Sequence, residues 1–273
     1  MDLDATLDRL AADPFAPADL AALALHLAAD EYRGLDVDAY LARLDRYADE
    51  LAPRLVGSLP DQVAELTYLL FEEEGFAGNA ADYYDPRNSY LNEVLDRKLG
   101  LPITLSILAM GVGARAGLTV AGVGLPGHFV AKATAGGAEV LFDPYHGGQF
   151  LDRAGCQQLV EAVTGQPFDP TDDALAVTPP GFVARRLLTN LKSVYLRAGD
   201  FPRAARVTTR LVQLAPDDPS QRRDLGVTLI HAGRPGQAID HLAAYLATVP
   251  AAEDAEVVNE FLRDAQKEVA RWN

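Results

Sequence analysis

The stretch from Leu99 to Ala133, LGLPITLSILAMGVGARAGLTVAGVGLPGHFVAKA, decides the fold. Gly100 interrupts the chain, and Pro102 heads the next segment, where a fixed φ and a missing N–H suit the first turn of a helix. From Ile103 to Ala116 the side chains are apolar on nearly every side, so the predicted helix has no face to give to water and must be central. Short apolar runs punctuated by glycine follow and read as strands, and the second of them presents His128.

The continuation, Gly127 to Gly148, is GHFVAKATAGGAEVLFDPYHGG, which predicts a β-hairpin turning at Gly136 and Gly137. If the turn is symmetric about those glycines, paired residue numbers sum to 273, so His128 faces Tyr145 and Val130 faces Asp143. His128 and Asp143 then share one face as diagonal neighbours within hydrogen-bonding reach. A carboxylate that orients an imidazole is the base-and-orienter half of a nucleophilic triad, and the same pair also occurs as a purely structural one. Gly127, Gly147 and Gly148 flank the hairpin and are expected to hold the turns at the edge of a cleft.

Outward from this core the chain is helical on both sides. Val37, Tyr40, Leu41, Leu44, Tyr47, Ala48 and Leu51 recur at spacings of three and four and mark the buried face of a core helix. A second helix is predicted from Ser58, with Pro60 in its first turn and Asp61 in capping position, to Gly75. The run Glu72 to Glu74 cannot converge on one ligand from a helix and reads as a solvated face. A shorter helix is expected from about Ser89 to Leu99. Beyond about Thr178 an offset of 34 residues relates Leu191 to Leu225, Ala198 and Gly199 to Ala232 and Gly233, Ala204 to Ala238, and Pro216 to Pro250. That period is the tetratricopeptide (TPR) signature. Two repeats cannot cover their own apolar faces, so they and a last helix running through Trp272 are expected to dock on each other and on the α/β part. A fragment from about Pro180 to Asn273 is expected to fold poorly alone. The reading is α+β: a helical region over 1–76, a mixed core over 77–177 and TPR-like helices over 178–273.

Composition narrows the function. The 273 residues are 49% hydrophobic, enough to fill a substantial core. Against 24 basic residues stand 39 acidic ones, a formal charge of −15 that repels phosphate backbones and anionic lipid surfaces. Neither nucleic acid nor membrane is therefore an expected partner. The start, MDLDATLD, carries no basic region followed by an apolar run, which together with the single cysteine, Cys156, places the chain in the cytoplasm as an expectation. One thiol can form neither an internal disulfide nor a thiolate metal cage.

Three segments are recognisable together: GFAGNAADYYDPRNSYLNEVLDRKLGLPITLSIL (75–108), GVGLPGHFVAKA (122–133) and FDPYHGG (142–148). They resemble the bacterial SirB-type family of transglutaminase-like proteins with C-terminal TPR helices, and the resemblance extends over nearly the whole chain. It implies a papain/transglutaminase-like core with a central helix and a small antiparallel sheet. In active enzymes of that kind a Cys at the head of the buried helix, a His on the next strand and an Asp on the one after form a triad. Carried over by position, His128 takes the His slot and Asp143 the Asp slot. Registering the helix end on Arg115–Leu118 brings the Cys slot to Pro102, which offers no nucleophile. Cys156 lies beyond the Asp strand on a predicted amphipathic helix and reads as a buried, inert thiol.

Two replacements are conceivable from the residues. Thr104 and Ser106 stand within about a turn of Pro102 as candidate hydroxyl nucleophiles. His128, Asp143 and His146 include the residue types of a two-His, one-carboxylate metal site, but the direction of His146 in its Gly-rich turn is not readable. Neither a metal nor a cofactor is expected. His26, His231 and His241 read as ordinary helix residues. Asn88, Asn92 and Glu93, in the matched NSYLNEVL motif, line the cleft with Pro102, Gly127 and Tyr145, or else cap helices and satisfy buried backbone. The expected function is a non-catalytic transglutaminase-like protein, a pseudoenzyme that binds a protein or peptide partner through its cleft and TPR helices. The alternative is a divergent amidohydrolase or acyltransferase pairing His128 and Asp143 with a Ser/Thr nucleophile.

Overall fold

The computed structural model describes residues 1–271, so Trp272, which the sequence places at the end of the last helix, lies outside the described residues. The chain divides into two compact units, one of Met1–Thr6 with Phe15–Ala184 and the other of Leu7–Pro14 with Arg185–Asn273. The regions expected over 1–76 and 77–177 thus fall almost wholly in one unit.

In the first unit α2 (Leu20–Ala29) and α3 (Val37–Leu51) start where Asp19 and Asp36 accept backbone N–H bonds from the first turn. Helix α4 (Leu59–Thr67) starts at Ser58, whose backbone N–H donates to Asp61 Oδ2 at 2.9 Å. The sequence predicts one helix from there to Gly75. Instead the α-helix ends at Thr67 and continues as a wider π-helical segment over Tyr68–Glu73. The i→i+5 winding keeps Leu69, Leu70 and Phe71 buried, so the apolar pattern survives a change of pitch that period counting does not detect.

The helix expected over 89–99 is also divided. Asp85 caps a 3₁₀ turn over Pro86–Ser89, α5 spans Leu91–Arg97, and Lys98 closes it in the left-handed region at φ 60°. Lys98 adopts that conformation with its Nζ bonded to Glu74 Oε2 (2.5 Å) and Tyr47 Oη (2.8 Å), above the Phe76 ring. Two-residue strands β1 (Ala77–Gly78) and β2 (Leu99–Gly100) then pair in parallel, which leads the chain directly into α6 (Pro102–Ala116).

Helix α6 is the centre that the sequence predicts. Ile103, Leu105, Ile107, Leu108, Ala109 and Val112 are all buried, and α2, α3 and the main sheet pack around it. That sheet is antiparallel in the order β3 (Val120–Leu125), β4 (His128–Ala135), β5 (Ala138–Asp143) and β6 (Gln149–Leu151). In the β4–β5 hairpin Ala131 pairs with Phe142 and Ala135 with Ala138, the register the symmetric turn requires. Pleating sets His128 on the same face as Val130, which packs with Val123, Leu125, Cys156 and Val160 under α7 (Arg153–Thr164).

The second unit is helical: it holds α8 (Pro180–Ala198) from Arg185 onward, α9 (Phe201–Leu214), α10 (Pro219–His231), α11 (Pro235–Thr248) and α12 (Ala255–Ala270), with α9 packed on α10, α10 on α11 and α11 on α12. The offset of 34 is structural: Gly199 and Gly233 turn at φ 69° and 71°, and Ala204 and Ala238 are both fully buried. Leu225, Leu229, Ala238, Leu242, Tyr245 and Val258 form one cluster of this unit. The unit also includes Leu7 and Leu10 of α1 (Leu3–Ala12), both buried, and Asp8 there accepts from Gln213 Nε2 at 2.9 Å. Nothing in the repeat pattern points to that N-terminal segment.

Candidate functional site

His128 begins β4 and Asp143 ends β5, so the hairpin register brings their side chains together, with 4% and 1% of their surfaces exposed. The His128 Nε2 to Asp143 Oδ2 distance is 2.9 Å. Oδ1 of the same carboxylate accepts the Tyr145 backbone N–H at 2.9 Å and starts a 3₁₀ turn over Pro144–His146. Such a turn has three residues per revolution, which carries residue i+3 back over residue i. His146 accordingly places Nδ1 2.7 Å from Asp143 Oδ2, with its ring half-exposed and stacked on His128 at 5.7 Å and 20°. Both imidazoles therefore converge on one carboxylate oxygen. Burial pushes the Asp143 carboxyl up, but hydrogen bonds and charge from His128 and then His146 outweigh it and hold the group below the usual range.

Tyr145 ties this cluster to the head of α6. Its ring stands edge-on to His128 and Tyr83 and lies so close to Gly78 that a Cβ there would be 2.5 Å from it. Gly78 pairs with Gly100, two residues before Pro102. Pro102 is buried as the first residue of α6, and both nearby hydroxyls are bonded to backbone groups. Ser106 Oγ donates to Pro102 O at 2.8 Å, and Thr104 Oγ1 accepts the Leu101 N–H at 2.9 Å while donating to Asn88 O at 2.8 Å. Both residues are fully buried. Cys156 is buried too; burial, then the Asp152 and Asp143 charges, push its thiol up, the reverse of an activated cysteine.

Asn88 is a structural hub. Its Nδ2 donates to Asp82 O (2.7 Å) and its Oδ1 accepts from Asn79 Nδ2 (3.0 Å), which fastens the 79–88 loop beside the α6 terminus. Asn92 is buried and Glu93 half-buried on α5. Gly127 turns between β3 and β4 at φ 69°. A cavity of about 710 Å³ on β5 and β6, lined by Lys132, Glu139, Phe150, Arg153, Asp172 and Leu175 among others, includes none of the predicted site residues. The residue that sequence reasoning left without a direction is His146; the D-P-x-H spacing before two glycines was the signal for its i, i+3 return.

Asp85 holds the loop's other end through Arg87 Nη2 (2.7 Å) and Arg97 Nη2 (3.2 Å). Burial raises its carboxyl, yet the Arg87 hydrogen bonds and the Arg97 charge leave it below the ordinary range. A folded pKa below the unfolded one adds stability that is complete above about pH 4 and is lost as pH falls through the folded value. Asp85→Asn is therefore expected to cost about 1–3 kcal/mol at neutral pH. In urea melts the gap to wild type should close as pH falls below about 4; a gap unchanged in acid would show that the carboxylate charge is not the cause.

Residues 38–189, more than half the chain, match the family model described as transglutaminase-like superfamily. The chain belongs to the transglutaminase-like superfamily. Residues 191–263 of this transglutaminase-like protein match the tetratricopeptide repeat model, in agreement with the offset of 34. A UPF0162 protein of Xylella fastidiosa is 34% identical over 255 residues, covering 91% of this chain and 90% of its own. A UPF0162 protein of Pseudomonas aeruginosa is 30% identical over 218 residues, 78% of this chain and 77% of its own. Mouse F-box only protein 21 is 31% identical over 150 residues, 52% of this chain and 23% of its own. No solved structure matches. Among the described residues no helix is long and apolar enough to cross a membrane.

Proposed function

We propose that this transglutaminase-like protein is non-catalytic and binds a protein or peptide partner through the surface around His146 and its TPR helices. The observation that carries the reading is chemical: a buried base-and-orienter pair persists where Pro102 heads the helix and the Thr104 and Ser106 hydroxyls are spent on backbone carbonyls. General-base activation accelerates nothing without a group to activate. The amidohydrolase or acyltransferase alternative requires one of those buried hydroxyls to leave its carbonyl and face a substrate. Exposed Tyr83 borders Tyr145 and exposed Tyr84 packs on Tyr83, and exposed aromatic side chains are the residue type that carries contact energy in protein interfaces.

A photo-crosslinking amino acid in place of Tyr84, compared with the same group at exposed Val56, tests the reading in cells that make the full chain. The expected result is a discrete higher-mass adduct from position 84 and none from position 56. Identical patterns from both positions would contradict a partner surface at the site.

A further inference from the structure

We propose that His128, Asp143 and His146 form a binding site for a divalent transition-metal ion of the zinc type. One ligand atom from each residue lies within 4.8 Å of the others. His128 Nε2 and His146 Nδ1 both approach the same oxygen, Asp143 Oδ2, at 2.9 and 2.7 Å. Imidazole nitrogens with one carboxylate oxygen suit zinc, cobalt, nickel or copper rather than calcium or magnesium, which prefer all-oxygen shells. With bonds of about 2.0–2.1 Å, tetrahedral ligand atoms stand about 3.3 Å apart. The two N···O separations must therefore open by about half an ångström on binding. The His146–Asp143 separation opens by movement of His146, which is half-exposed on a three-residue turn before Gly147 and Gly148, and the smaller opening between the packed His128 and Asp143 requires rotation of those two side chains.

The outer contacts suit the same role. The Tyr145 N–H on Oδ1 fixes the carboxylate so that Oδ2 is the atom presented to both imidazoles. Each neutral ring needs only the tautomer whose lone pair faces Oδ2, so binding shifts protons between ring nitrogens without net release from the imidazoles. Three protein ligands leave a coordination position open, which a water or a carboxylate of a docked chain can fill. This goes beyond the binding reading above and is tested without any partner.

Full-length protein stripped with a chelator is titrated with Zn²⁺ by calorimetry and with Co²⁺ by visible absorption. The expected result is one ion per chain with a tetrahedral-type Co²⁺ spectrum. His146→Ala, at an exposed position that leaves the fold intact, should weaken binding by roughly 100-fold or more and abolish the spectrum, since losing a ligand should cost at least what losing an outer-shell partner does. His231→Ala, removing a histidine stacked on Phe201 in the other unit, should change nothing. Absence of stoichiometric binding, or binding that His146→Ala leaves intact, overturns the proposal. Circular dichroism confirms folding of each variant, and His146→Gln serves as a second removal of the ligand.

Discussion

Asp143→Ala is expected to lower the stability of the chain by about 2–4 kcal/mol. The carboxylate is the common acceptor for His128, His146 and the Tyr145 amide, and each responds differently to its loss. His146 is half-exposed and turns to water at little cost. His128 is buried, so its ring N–H is left unsatisfied, and the Tyr145 amide loses the bond that starts the 3₁₀ turn. An orphaned buried donor costs about 1–3 kcal/mol, and with the only partly buried Tyr145 amide at the low end, about 1 kcal/mol, the two add to the stated range. His146→Ala should by contrast cost less than about 1 kcal/mol, as exposed pairs do. Urea melts of both variants with a chelator present check this. Equal losses would mean that the carboxylate does not organise the site.

Phe129→Ala is expected to cost more, about 3–5 kcal/mol, because it empties an aromatic position with 1% exposure between β4 and α6. The ring occupies the space where Gly122 on β3 has no side chain: a Cβ there would lie 2.5 Å from it, with Met110 Sδ of α6 3.6 Å away. Gly122→Ala alone therefore overpacks the sheet–helix seam and costs about 1–3 kcal/mol. The double variant should lose less than the sum, since the added methyl then enters the vacated space. A coupling of about 1 kcal/mol or more in a denaturation cycle is the expected value. Strict additivity would show that the two sites do not share this space.

What was legible in the sequence is what local chemistry encodes. The Gly136–Gly137 turn fixes the hairpin register, and the register alone brings His128 to Asp143. The unbroken apolarity of 103–116 marks α6 as central, and the offset of 34 returns as matching left-handed glycines. Long-range and fine-grained features were not legible. No residue in Leu7–Pro14 announces its grouping with the C-terminal helices, because apolar periodicity says which face is buried and not against what. The π segment at Tyr68–Glu73 keeps the apolar pattern while changing pitch, and Lys98 takes a left-handed cap through contacts with Glu74, Tyr47 and Phe76 that lie far away in sequence. The family resemblance supplied the His and Asp slots, but it had no slot for His146.

The central claim is that the His128–Asp143 pair has no nucleophile to serve. Full-length protein is incubated with serine- and cysteine-directed acylating probes and with amide and amine donors, alongside His128→Ala, and read by intact-protein mass. The account predicts no stoichiometric adduct and no difference between the two proteins. A stoichiometric adduct on Ser106 or Thr104 that disappears in His128→Ala would contradict it and establish the hydroxyl enzyme instead.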